Sequence, residues 1–142
     1  MDDVEAIKQL KARYCRTMDT KDWDAMRQVF AEDVTMDMSA AGGGVITGAD
    51  DFMTFLQGAI GDVVTTHHCH MPEITLASPT VASGIWAMED MLRWPDGSEL
   101  HGYGHYHETY VKDASGAWRI ASSTLTRLRM DFTAPIDQQP KD

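Results

Sequence analysis

The sequence predicts an α+β fold, with helices gathered at the N-terminal end and packed on one face of a curved, mostly antiparallel sheet. Three observations carry this reading. Between Val4 and Ile60, apolar residues mostly recur at steps of three and four, the period of helix faces. From Val63 onward the texture changes to long runs rich in β-branched and aromatic residues. Those runs are divided by short turn signals, so successive strands fold back on one another. A chain of 142 residues, 43% hydrophobic and 24% charged, has the size and composition of one globular domain.

Val4, Ile7, Leu10, Tyr14 and Met18 form one apolar stripe on an opening helix, which should stop near Asp19-Thr20. Thr20 or Asp22 can cap a short second helix whose inner face is Trp23, Met26, Val29 and Phe30. Val34 to Met38 alternates as a strand, and Ala40–Gly44 is a flexible turn. No helix start or basic residue follows those glycines at phosphate-loop spacing, so no nucleotide site is read there. Phe52, Phe55, Leu56, Ala59 and Ile60 mark a third helix, capped by Asp50 and ended by Gly61. Strands are expected over Val63–His70, Ile74–Ala77, Val81–Trp94, Leu100–Val111 and Trp118–Arg129. Pro72 cannot donate to a ladder and implies an edge or a bulge just after the histidines. Residues 1–132 read as a single domain, and 133–142 as a loosely ordered tail.

Lys+Arg 12 against Asp+Glu 22 gives a net charge of −10. An acidic chain lacks the basic face that nucleic acid or an anionic membrane requires, so neither is an expected partner. No apolar run reaches the length of a bilayer span. The acidic N-terminus is unlike a secretory signal, which leads to the expectation of a cytoplasmic protein. Cys15 and Cys69 are too few for a disulfide framework, though they leave one bridge open.

All six histidines fall in two clusters, His67-His68-Cys69-His70 and His101/His105/His107. In a strand, 67 and 69 face one way while 68 and 70 face the other, so one strand cannot offer all four to a metal. No metal site and no cofactor are assigned. Along Leu100–Val111, Gly102, Gly104, Tyr106, Glu108 and Tyr110 share a face. The glycines there either leave room for a ligand or mark a bend. His101, Tyr103, His105 and His107 occupy the opposite, convex face, which could meet another subunit. Asp19 at a helix exit and His67 on a facing strand could meet over the sheet. A carboxylate on one imidazole nitrogen fixes the tautomer and leaves the other nitrogen free to take a proton.

AIKQLKARYCRTMDTKDWD (Ala6–Asp24), THHCHMPEITLAS (Thr66–Ser78), GIWAMEDMLRWPDG (Gly84–Gly97) and GAWRIASSTLTRLR (Gly116–Arg129) resemble the SnoaL-like branch of the nuclear transport factor 2-like superfamily. That branch includes scytalone dehydratase, hexachlorocyclohexane dehydrochlorinase and bile-acid 7α-dehydratase. The resemblance implies a cone-shaped roll enclosing a deep pocket, assembled as a homo-oligomer, a trimer or else a dimer. It matches Asp19 and His67 to the catalytic dyad, with His68 the competing base, and Tyr14 to a pocket tyrosine. Arg127 matches a functional arginine that would anchor substrate or serve as an ion-pair partner. Tyr106, Trp23 and Trp86 are expected to touch substrate, although the three aromatics Trp23, Phe55 and Trp86 could equally be core.

The resemblance therefore implies a cofactor-independent lyase, a dehydratase of a hydrophobic cyclic hydroxy-carbonyl compound such as a steroid or aromatic polyketide. A double-bond isomerase shares the same proton abstraction. A non-catalytic ligand-binding module is the alternative of another class, to be recognised by a plugged cavity or a dyad that fails to meet.

Overall fold

Asp2 opens the first helix, its carboxylate accepting from the Glu5 backbone N–H at 2.8 Å. In the computed structural model, which describes residues 1–140, this helix (α1) spans Asp3–Asp19. Its buried face holds Ile7, Leu10, Lys11, Tyr14, Thr17 and Met18, so the apolar stripe carries a lysine within it. The second helix (α2) is Trp23–Arg27, capped by Asp22. It is shorter than the spacing predicts. Phe30 already opens strand β1 (Phe30–Asp37), because Val29 O accepts from Ile120 N and commits the backbone to the sheet. The Phe30 ring packs edge-on against Tyr14 and Phe52.

A short 3-10 turn at Ser39–Ala41 and left-handed Gly42 and Gly44 lead into β2 (Val45–Thr47). The third helix (α3) spans Ala49–Ile60. Gly48 occupies its cap in place of Asp50, whose carboxylate instead accepts from Arg27 Nε at 2.8 Å. Four long strands follow: β3 (Val64–Ser78), β4 (Val81–Arg93), β5 (Glu99–Lys112) and β6 (Trp118–Thr133). The sheet order is β2-β1-β6-β5-β4-β3; β1 and β6 run parallel and every other pair antiparallel. The sheet is curved and open, with the three helices against one face.

The expected break at Pro72 is a bulge inside one continuous strand. The β3–β4 register shifts between His70 and Glu73, with Met71 at φ 37°. As the edge strand, β3 loses nothing by Pro72's missing donor. The expected tail, 133–142, ends beyond the described residues. Of its described part, Ile136–Gln138 forms a 3-10 turn, with Ile136 lying against Gly97. No helix among the described residues is long and apolar enough to cross a membrane.

The concave face is where sheet and helices meet. Ala82, Trp86, Met88, Tyr106, Tyr110, Ile120 and Leu125 are buried there, with Leu10, Met26, Phe52 and Ile60 from the helices. Within this apolar layer Lys11 Nζ meets Glu108 Oε2 at 2.8 Å, both side chains essentially without solvent contact. Glu108 also accepts from Ser123 Oγ and from Tyr110 OH, which in turn accepts from Trp86 Nε1. The ammonium stands 3.8 and 3.7 Å from the ring centres of Tyr14 and Tyr106. A buried charge of either sign without such partners would be strongly destabilising.

Candidate active site

The C-terminal residue of α1 and the first imidazole of β3 meet at the edge of the helix layer. Asp19 Oδ1 lies 2.7 Å from His67 Nδ1, and Asp19 Oδ2 accepts from the His67 backbone N–H at 2.7 Å. Thr65 Oγ1 donates to Oδ1 at 2.9 Å and itself accepts from Lys21 Nζ at 3.0 Å. A carboxylate can only accept, so the proton shared with Asp19 sits on Nδ1, and Nε2 is the ring nitrogen turned away from Asp19. The two bonds from one residue also fix the ring's orientation. The His67 side chain is 8% exposed.

His67 faces a cavity of about 140 Å³ between the sheet and the helices. Its walls are apolar: Met18, Phe52, Phe55, Leu56, Ile60 and Leu125. Tyr14, Tyr106, Asp90 and Arg127 supply the polar groups. Met38, Ala41, Gly43 and Ala59 complete its lining, Ala41 and Ala59 being exposed at its rim. Gly43 approaches Phe55 so closely that an added Cβ would fall 2.8 Å from the ring edge. Burial pushes the Tyr14 hydroxyl well above its ordinary pKa, and the Glu108 carboxylate adds to the effect. Tyr106 is raised by burial first and by Tyr14 second. Both remain neutral hydrogen-bond donors at any physiological pH.

Opposite the dyad, Arg127 grips Asp90 in a two-point ion pair, Nη1–Oδ1 at 2.7 Å and Nη2–Oδ2 at 3.0 Å. Asp90 Oδ2 also lies 3.9 Å from His67 Nε2. The pair rests over Gly102, where a Cβ would overlap both Arg127 Nη1 and Asp90 Oδ1. The glycines of β5 thus serve two purposes. Gly102 makes room for side chains at the cavity, whereas Gly104 makes room for the Thr126 carbonyl at the β5–β6 bulge.

The structure brings Asp19, His67, Tyr14, Tyr106 and Arg127 to one place, Asp19 standing behind the imidazole. It does not bring Trp23 or Trp86 to this cavity. Trp23 is half-buried at the start of α2, beneath Lys21. Trp86 lies on the concave face, but its indole N–H is turned to Tyr110 OH at 2.8 Å, making it part of the core. His68 projects from the other face, exposed, with Nδ1 3.3 Å from Glu89. His70 is likewise outside, and His105 and His107 stack at 6.2 Å on the same outer surface. Sequence reasoning missed Asp90 and Lys11. Their signal was present, because Asp90 continues the buried alternation Ala82, Gly84, Trp86, Met88, and Lys11 falls four residues after Ile7 in the inner stripe.

The SnoaL-like domain matches residues 1–124. A curated relative, the probable cyclase FGR4 of Gibberella zeae, is 28% identical over 138 residues, covering 86% of this chain and 89% of its own. Among solved structures, the Kfla4162 protein of Kribbella flavida superposes with a TM-score of 0.82 at 26% identity, covering 91% of this chain and 93% of its own. The protein named Putative Scytalone Dehydratase from Novosphingobium aromaticivorans gives a TM-score of 0.82 at 23% identity, covering 96% and 95% of the two chains.

Proposed function

This chain belongs to the SnoaL-like domain family, and on that premise we propose that it is a cofactor-independent enzyme that takes a proton from a small hydrophobic carbonyl compound and eliminates water. The observation that carries the proposal is His67, clamped by Asp19 through Nδ1 and lining an apolar cavity.

In the proposed reaction, Nε2 removes a proton from carbon beside a carbonyl, and the C–H electron pair becomes an enolate. The imidazolium so formed is stabilised by Asp19 at Nδ1. Tyr14, kept protonated by burial, donates to the enolate oxygen or to the departing hydroxyl. The enolate electrons then expel hydroxide from the β-carbon, the imidazolium returns the proton to it, and water and a conjugated carbonyl product leave.

Cavity size narrows the substrate. About 140 Å³ is close to the roughly 150 Å³ of a buried apolar cavity that admits benzene. One six-membered ring fills it, so a steroid or multi-ring polyketide would have to leave its remaining rings at the mouth. Asp90 already pairs the Arg127 charge, so the guanidinium offers an anionic substrate little uncompensated charge. A neutral ring is favoured. The cyclase FGR4 is compatible with the same first step, since an enolate can also attack a second carbonyl of its own molecule.

Two measurements test the reading. In D2O, the protein should exchange α-hydrogens of single-ring cyclic ketones, and on β-hydroxy ketones it should raise a conjugated-enone absorbance. His67→Ala should lose about 10²–10⁴-fold in either rate while keeping its circular dichroism. A folded His67→Ala protein that works at the parent rate overturns the assignment; a parent that binds such ketones without exchanging them is a binding module instead.

A further inference from the structure

Two side chains beside the dyad have no part in this chemistry. Cys15 on α1 and Cys69 on β3 are 54 residues apart in sequence, yet their Sγ atoms stand 3.5 Å from each other. Both are free thiols and half-buried. They line a second hollow, a solvent-open crevice between helix and edge strand, together with Lys11, His67 and Pro72. We propose that Cys15 and Cys69 are an oxidisable dithiol, a modification site at which a peroxide-class oxidant forms an intramolecular disulfide stapling the Asp19-bearing helix to the His67-bearing strand.

The geometry supports closure. A disulfide needs its sulfurs about 2.0 Å apart, so the two must approach by about 1.5 Å. β3 is the sheet edge, with β4 its only neighbouring strand. The chain is also locally irregular just past Cys69, where Met71 has φ 37° and the register shifts. The crevice lets a small oxidant reach sulfurs that larger reagents would meet poorly.

The chemistry assigns the two roles. The thiol–thiol contact is the main influence lowering the pKa of Cys15, and the nearby Lys11 ammonium lowers it further. The same contact, with burial, raises that of Cys69. Cys15, one helical turn past Lys11 on the same side of α1, is the proposed attacking thiolate. It attacks one peroxide oxygen, the O–O bond breaks, hydroxide leaves, and Cys15 becomes a sulfenic acid. Cys69 then attacks that sulfur, its thiol proton departs with the sulfenic hydroxyl as water, and the S–S bond forms. Two thiols lose two electrons and the peroxide gains them.

The placement gives the staple a consequence. Cys15 lies one helical turn before Asp19, on the same side of α1, and Cys69 lies two residues beyond His67 on the same strand face. The crosslink would tie together the two elements whose spacing holds the dyad. The alternative is that the sulfurs are packing atoms only, behaving as small hydrophobic groups.

The test uses the full chain with hydrogen peroxide in slight molar excess, read without any substrate. Titratable thiols in denaturant should fall from two to none, the intact mass should drop by two hydrogens, and a non-reducing digest should yield the Cys15 peptide linked to the Cys69 peptide. Dithiothreitol should restore both thiols. Cys15→Ser and Cys69→Ser should each lose the linked peptide. Thiols that stay free, that gain oxygen separately as sulfinic or sulfonic acids, or that link only between chains would overturn the proposal.

Discussion

Asp19→Asn changes one atom of the dyad and reverses its hydrogen bonding. The carboxylate accepts three bonds: from the His67 backbone N–H and ring Nδ1, each at 2.7 Å, and from Thr65 Oγ1 at 2.9 Å. Asparagine keeps one acceptor oxygen and adds an NH2 that only donates. The backbone N–H cannot be inverted, so the amide oxygen takes its side and the NH2 falls opposite Nδ1 and Thr65. The threonine hydroxyl rotates. The imidazole accepts only by moving its proton from Nδ1 to Nε2, the atom that faces the cavity, and the base is then already occupied. Hydrogen bonds to charged groups are worth about 1.5–3 kcal/mol and neutral ones about 0.5–1.5, so between the midpoints converting three costs about 4 kcal/mol. At about 2–4 °C per kcal/mol, the melting point should fall by about 8–16 °C. The chemical step should suffer far more, since a tautomer inversion of this kind costs a serine-protease triad about 10⁴-fold in kcat. Nitrogen-15 shifts of the His67 ring read the inversion without a substrate. The parent should carry its proton on Nδ1 and the variant on Nε2. A parent protonated on Nε2, or a variant with the parent's tautomer, refutes the reasoning.

Gly102→Ala should wedge a methyl group between Arg127 and Asp90, and its urea-measured stability loss should approach the about 3–5 kcal/mol of unpairing a buried ion; a loss below about 1 kcal/mol would show that the pair shifts freely. Lys11→Met should cost about 3–5 kcal/mol by stranding Glu108, and adding Glu108→Gln to it should recover part of the loss. An equal loss in the single and double variants would contradict the pairing. Burial raises the pKa of Tyr14, Tyr106 and Tyr110 in the fold, so the native chain keeps protons that the unfolded chain releases near pH 10. Stability is therefore intact below that pH and falls above it, by up to about 1.4 kcal/mol per pH unit for each tyrosine, as urea midpoints from about pH 8.5 to 11.5 should show.

The fold was legible because two periodicities change over at Val63, and each is enforced by burial on one side only. What periodicity cannot rank is competition between neighbouring elements. Phe30 fits the apolar spacing of α2 equally well, but its backbone neighbour Val29 accepts from Ile120 across the sheet. That bond comes from a strand ninety positions later and leaves no local trace. The site was legible in a different way. Strand alternation separates His67 from His68 and helix spacing puts Tyr14 inward, but only the family resemblance singles out Asp19 among the helix-end carboxylates. Trp86 shows the remaining gap. Its parity is right for a pocket residue, and the same parity serves the core; the direction of its indole is set by Tyr110 and Glu108, twenty residues away.

Charge supports the proposed action on a neutral ring. On the concave face Lys11 meets Glu108 and Arg127 meets Asp90, each ion directly paired. Asp19 is different: its hydrogen-bond partners are the His67 ring, the His67 backbone N–H and a hydroxyl, and it reaches the Lys21 ammonium only through Thr65 Oγ1. In the proposed reaction, proton transfer to His67 would place a cation 2.7 Å from that carboxylate, so their attraction would grow as the reaction proceeds. The further carboxylate at 3.9 Å, Asp90, has both of its oxygens engaged by Arg127.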